Sequence, residues 1–137
     1  METHNGQCLC GGIRVQVDGT LPPIQVCHCR MCQRAQGGAF AAVLVLPRAA
    51  VQVTDPEGLL TAYDSSPGKQ RLFCRRCGSP VFSRRGTLPG VLRVRAGLLD
   101  PPLRTRIAWH AYTDEACDWW PGDEDAPRFP GAAPPAL

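Results

Sequence analysis

Residues 8–18 read CLCGGIRVQVD, and both halves of that stretch bear on the fold. The first half sets Cys8 and Cys10 one residue apart, on a sharp turn that Gly11 and Gly12 allow. Two thiolates so close can grip one metal ion without straining the backbone. A tetrahedral zinc site needs four such ligands, usually delivered as two pairs from separate loops. The second half alternates Ile13, Val15 and Val17 with Arg14, Gln16 and Asp18, the period-two signature of a half-buried strand.

The same alphabet repeats along the chain. Met1 to Gln7 is a polar lead into the first cysteine pair, and Asp18-Gly19 closes the strand as a turn. Ile24 to His28 reads as a short strand running into Cys27, Cys29 and Cys32. Arg30 to Gln36 suits a brief helix that Gly37-Gly38 would stop. Ala39 to Leu46 is a continuous apolar run, as in a strand buried on both faces. Further strands follow at Val51–Thr54, Leu59–Tyr63, Gln70–Phe73, Val81–Arg84, Val91–Arg95 and Arg106–Tyr112, separated by Gly/Pro/Asp/Ser turns. The expectation is an all-β chain of small stacked antiparallel sheets, with a single domain over residues 1–121. Residues 122–137, rich in Pro, Gly and Ala and without periodicity, read as an irregular, partly mobile tail.

Composition narrows the function. Gly and Pro occur 14 times each in 137 residues, which favours turns and short strands over long helices. A net charge of +3 is too small to argue for nucleic acid or a membrane surface. Four thiolates on one Zn²⁺ subtract two charges and three on another subtract one, which brings a loaded chain near neutral. Neither a secretory leader nor an apolar run long enough to span a membrane is evident, so a cytoplasmic protein is expected. In a reducing cytosol, clustered cysteines read as metal ligands rather than disulfides.

Seven of the eight cysteines fall in three clusters. Cys74-x-x-Cys77 followed by Gly78 is a zinc-knuckle arrangement, and Cys8-x-Cys10 is its natural partner. Joining the two pairs would cross-link distant segments, so that metal-binding free energy becomes folding free energy. Arg71, Arg75 and Arg76 are placed to offset that site's negative charge. Cys27, Cys29 and Cys32 supply three ligands with no obvious fourth, which suits an open site for a thiol or a carbonyl. His28 lies between two of them, but adjacent strand residues point to opposite faces, so it reads as structural or as a base behind the site rather than a ligand.

Three motifs in order resemble the glutathione-dependent formaldehyde-activating enzyme family, which includes centromere-protein-V-like proteins. They are Gly6-Gln7-Cys8-Leu9-Cys10-Gly11-Gly12, Cys27-His28-Cys29-Arg30-Met31-Cys32-Gln33-Arg34 and Phe73-Cys74-Arg75-Arg76-Cys77-Gly78-Ser79-Pro80. Gly37-Gly38-Ala39-Phe40, Ala96-Gly97-Leu98-Leu99-Asp100, His110 and Trp119 match its later pattern. The resemblance implies a β-tent fold, a structural zinc on Cys8, Cys10, Cys74 and Cys77, and a catalytic zinc on Cys27, Cys29 and Cys32. It also implies a carbon–sulfur lyase chemistry, in which a thiol such as glutathione adds to a small aldehyde such as formaldehyde. Two other readings stand beside it: a non-catalytic module carrying only the structural zinc, and a thiol redox sensor built on the triplet.

Other residues are weighed by their surroundings. Arg30, Arg34 and Lys69 would attract the carboxylates of glutathione if they bordered the open site, and otherwise are solvated charge. Trp109, Trp119 and Trp120 suit sheet packing or a pocket wall. Cys117 reads as a free thiol, Ser79 as a local backbone partner, and His4 as an ordinary histidine, while His110 is a candidate pocket residue. Asp114, Glu115, Asp118 and Asp123-Glu124-Asp125 read as a solvated acidic loop.

Overall fold

In a computed structural model the described residues are 2–122 and 125–134. Ten strands and one helix follow in chain order: β1 Thr3–Gln7, β2 Arg14–Asp18, β3 Ile24–Cys27, α1 Arg30–Gln36, β4 Ala41–Pro47, β5 Val51–Thr54, β6 Leu60–Ser66, β7 Lys69–Cys74, β8 Pro80–Arg85, β9 Val91–Arg95 and β10 Ile107–Ala111. The chain is mostly β, as its alternating pattern predicts. Among the described residues, no helix is long and apolar enough to cross a membrane.

The chain divides into two compact units. The first comprises Met1–Pro22 and Leu44–Arg104, and the second Pro23–Val43 and Thr105–Leu137. In the first unit β1, β2 and β5 form an antiparallel three-stranded sheet, with Val15 opposite both Gly6 and Val53. Ile13, Val15 and Val17 are buried while Arg14 and Gln16 are exposed, so the alternation does set which face goes inward. Each such aliphatic side chain contributes about 1.5–3 kcal/mol by leaving water. The other sheet elements of this unit run in the order β9-β8-β7-β6. Leu44, Val81 and Val94 are fully enclosed there.

The polar lead is itself strand β1, a departure from the sequence expectation. Its residues are mostly exposed, as an edge strand allows, so no apolar alternation announces it. Its place is fixed instead by backbone bonds, including Asp100 N–H to the Asn5 carbonyl at 2.8 Å.

In the second unit β3 lies between β10 and the first half of β4. The β3–β4 pair is antiparallel, but β10 runs parallel to β3, with His110 opposite Val26 and Ala111 opposite Cys27. This parallel pair departs from the antiparallel expectation. A parallel neighbour requires a long connection, here nearly the whole intervening chain, so local turn signals do not reveal it. Helix α1 has the predicted bounds; Gly37 stops it at φ 66°, a left-handed conformation, with its N–H bonded to the Gln33 carbonyl. The tail is irregular but tied to β10: His110 N–H donates to Pro127 at 2.8 Å, Phe129 N–H to His110 at 2.8 Å and Tyr112 N–H to Gly131 at 2.8 Å. Of the predicted acidic loop, Asp123 and Glu124 lie outside the described residues.

Two candidate metal centres

In the first unit, the end of β7 and the turn after β1 bring Cys8, Cys10, Cys74 and Cys77 together, all sulfurs within 4.8 Å of one another. Cys8 and Cys74 are buried, Cys77 is half-buried and Cys10 faces solvent. The Cys8–Cys10 and Cys10–Cys74 sulfur separations are 3.6 and 3.8 Å. Zinc–sulfur bonds of about 2.3 Å in a tetrahedron place the sulfurs about 3.8 Å apart, so the quartet fits that ion. The knuckle is built locally, with Gly78 at φ 78° and its N–H bonded to the Cys74 carbonyl at 2.7 Å.

Hydrogen bonds prepare these sulfurs for negative charge. Ile13 N–H points at Cys8 Sγ at 3.3 Å, and Arg76 Nε at Cys10 Sγ at 3.4 Å. Arg76 is steadied by Glu57, 3.1 Å from each carboxylate oxygen. Its guanidinium, with the Gly12 backbone, lowers the Cys10 thiol. Burial of Cys77 opposes ionisation, yet the hydroxyl and backbone of Ser79, the Cys10 backbone and the Cys74 thiol outweigh it and pull Cys77 down to about 5. Burial pushes Cys74 up. Ser79 does more than the local bonding expected of it: its Oγ accepts the Leu9 N–H at 2.9 Å, linking the two cysteine turns. Of the neighbouring arginines, Arg76 makes the direct contact.

In the second unit the sulfurs of Cys27, Cys29 and Cys32 also lie within 4.8 Å of one another. Cys27 ends β3, Cys29 caps α1 and Cys32 is in its first turn, with the Cys32 N–H donating to Cys29 Sγ at 3.3 Å. The Cys32 side chain, then burial, push the Cys27 thiol upward. A three-sulfur set of this spacing can hold a metal ion.

His28 is not among the groups that gather with these three sulfurs. It is fully buried, its Nε2 lies 2.7 Å from Nδ1 of the equally buried His110, and its ring centroid is 4.2 Å from Trp120 and 5.2 Å from Phe40. Trp120 also meets His110 at 4.9 Å and carries Arg128 over its ring at 5.3 Å. The triplet loop is thus pinned from behind. Buried Gln33 adds a second brace, donating to the His28 carbonyl at 2.6 Å and the Glu115 carbonyl at 2.8 Å. The Glu115 carboxylate accepts the Arg30 N–H at 3.0 Å, so this acid anchors α1 rather than merely facing water.

The remaining candidates disperse. The Arg30 guanidinium bonds Gln33, Arg34 is exposed, and Lys69 belongs to the first unit, not to the triplet's. Trp119 is 67% exposed, whereas Trp120 carries the packing. His4 lies 3.4 Å from Glu2, and Cys117 is a half-buried free thiol. Gln33, Glu115 and the His28–His110 pair are contributors that sequence reading does not single out as a set.

Two outcomes follow. His110→Ala removes the 2.7 Å partner of His28 and opens a void beside Trp120. Urea unfolding should show a loss of about 2–4 kcal/mol, with part of it recovered in His110→Gln; a neutral effect would mean the buried pair does not brace this unit. The second concerns pH. Protons compete with a metal at every sulfur, and each cluster holds a raised thiol, Cys27 in the triplet and Cys74 in the quartet, but the quartet has a fourth sulfur and a Cys77 held down at about 5. Acid titration with a chromophoric chelator should release metal from the triplet first. Release from the quartet first would contradict the assignment.

The family model described as glutathione-dependent formaldehyde-activating enzyme matches residues 3–115. A protein of Penicillium rubens named putative glutathione-dependent formaldehyde-activating enzyme is 34% identical over 80 residues, 57% of this chain and 42% of its own length. An uncharacterized lyase of Schizosaccharomyces pombe is 28% identical over 82 residues, 60% of this chain and 58% of its own. The chain therefore spans about half the length of the curated relatives it matches. A crystal structure of a Rhodobacter sphaeroides protein shares the fold, with a TM-score of 0.60 at 24% identity, covering 72% of this chain and 89% of that one. With the family pattern running from the first strand through both cysteine clusters, this chain belongs to the glutathione-dependent formaldehyde-activating enzyme family.

Proposed function

We propose that this protein is a carbon–sulfur lyase that adds a small thiol, of the glutathione type, to a small aldehyde such as formaldehyde, or reverses that addition. In the forward direction the sulfur–carbon bond forms, the carbonyl π bond breaks, and the thiol proton ends on the new hydroxyl. The observation that carries the reading is a preformed set of three cysteine sulfurs, distinct from the quartet, in a chain of this family. Cys27, Cys29 and Cys32 would hold a zinc ion, and Cys8, Cys10, Cys74 and Cys77 a structural one. At the triplet, zinc supplies a lowered pKa for an incoming thiol or polarisation of a carbonyl.

The chain's own groups support this by rigidity. Gln33 holds the His28 carbonyl, Glu115 holds the start of α1, and the His28–His110–Trp120 cluster fixes the back of the loop. A loop held from three directions keeps its sulfurs in place without reorganising during reaction. The test is proton NMR of formaldehyde–glutathione exchange, which should accelerate with the intact protein and not with Cys29→Ala.

A second reading, a non-catalytic module loaded only at the quartet, is favoured by one observation. The triplet offers three sulfurs where the quartet offers four, so it grips an ion with fewer ligands. One zinc per chain with no accelerated exchange would favour it.

A further inference from the structure

At the end of β7 opposite the quartet, the turns flanking β7 and β8 enclose a recess of about 330 Å³ lined by Arg48, Asp64, Gln70, Arg84 and Arg85, with glycines and a proline between them. Four steps of extended strand lead from Gln70 to Cys74, about 13 Å. The volume is at the lower end of the range for small-molecule sites, about 300–1,000 Å³.

Its charge is unbalanced. Three arginines face one acid, and the Asp64 carboxylate accepts the Gln70 amide at 3.0 Å. Gln70 in turn takes Arg84 Nε at 3.0 Å, a relay that aims Arg84 while using only its inner nitrogen. Among the described residues, none of the three guanidiniums forms an ion pair. Strand register adds to the excess, setting Lys69 directly opposite Arg85, an unfavourable like-charge pair. Arg93, opposite Ser83 on β9, is held below the usual arginine range by burial and then by Arg85. Cations collected at this density relax when an anion joins them.

We propose that this recess binds a small phosphorylated molecule through Arg84, Arg85 and Arg48. Two properties favour phosphate over a single carboxylate. Guanidinium forks match phosphate oxygens in pairs, and a dianion answers several cations where a monoanion answers one. The proposal is independent of the metal chemistry, since no cysteine lines the recess.

Isothermal titration of inorganic pyrophosphate into the full chain tests it, with Arg84→Gln and Arg84→Gln/Arg85→Gln alongside. Saturable one-to-one binding is expected, weakened about tenfold by the single change and about a hundredfold by the double. Zinc content and melting temperature should be unaltered, because the quartet is at the far end of β7. The absence of saturable heat, or a double variant binding like the parent, would overturn the site. Tighter binding of glutathione than of pyrophosphate, lost in the double variant, would overturn the phosphate assignment.

Discussion

Cys74→Ala is expected to remove one zinc per chain and to lower the melting temperature by about 15–25 °C. Cys74 is fully buried, ends β7 and sits 3.8 Å from Cys10, so its loss disconnects the knuckle from the turn after β1. Those turns lie 64 residues apart in sequence, and the links that remain include the Ser79–Leu9 and Arg76–Cys10 contacts and the Cys10 backbone on Cys77. Loss of a structural metal ligand belongs to the class of changes worth about 4–5 kcal/mol or more, against a typical total of about 5–15 kcal/mol. Circular dichroism melts with parallel elemental analysis check the prediction. Strong chelation of the unaltered protein should reproduce the same fall, whereas a variant that melts normally would show that the quartet does not hold the unit together.

Cys29→Ala should do the reverse: little change in melting temperature, loss of the other zinc, and thiol–aldehyde exchange reduced by more than about a hundredfold. Cys29 is half-buried and caps α1 by accepting the Cys32 N–H, so the change also removes a helix cap worth about 1 kcal/mol. Cys29→Ser separates the two effects. It restores an oxygen cap but not a thiolate, so stability should return while zinc and exchange activity should not. Recovery of exchange in the serine variant would place the chemistry elsewhere.

How far the sequence discloses these features depends on whether the signal is local. Ile13, Val15 and Val17 predict β2 because alternation within five residues decides which face is buried. The cysteine pairs predict their own convergence because x and x-x spacings let two sulfurs share one metal ion. Strand β1 escapes notice, since an edge strand of Thr3, His4, Asn5, Gly6 and Gln7 needs only its backbone. The supports of both sites escape for a different reason. His28 meets His110 across 82 residues, Ser79 meets Leu9 across 70, and Arg76 meets Cys10 across 66. Such pairs depend on topology, including the parallel β3–β10 pairing, which no short window contains. The basic recess is likewise assembled from three turns whose charges look ordinary in sequence.

The most direct measurement is zinc per chain in protein purified under reducing conditions without added chelator. Two sulfur clusters with separate duties require two equivalents, falling to one in either Cys74→Ala or Cys29→Ala. A single equivalent in the unaltered protein that Cys29→Ala leaves in place would contradict the catalytic role given to the three-sulfur cluster.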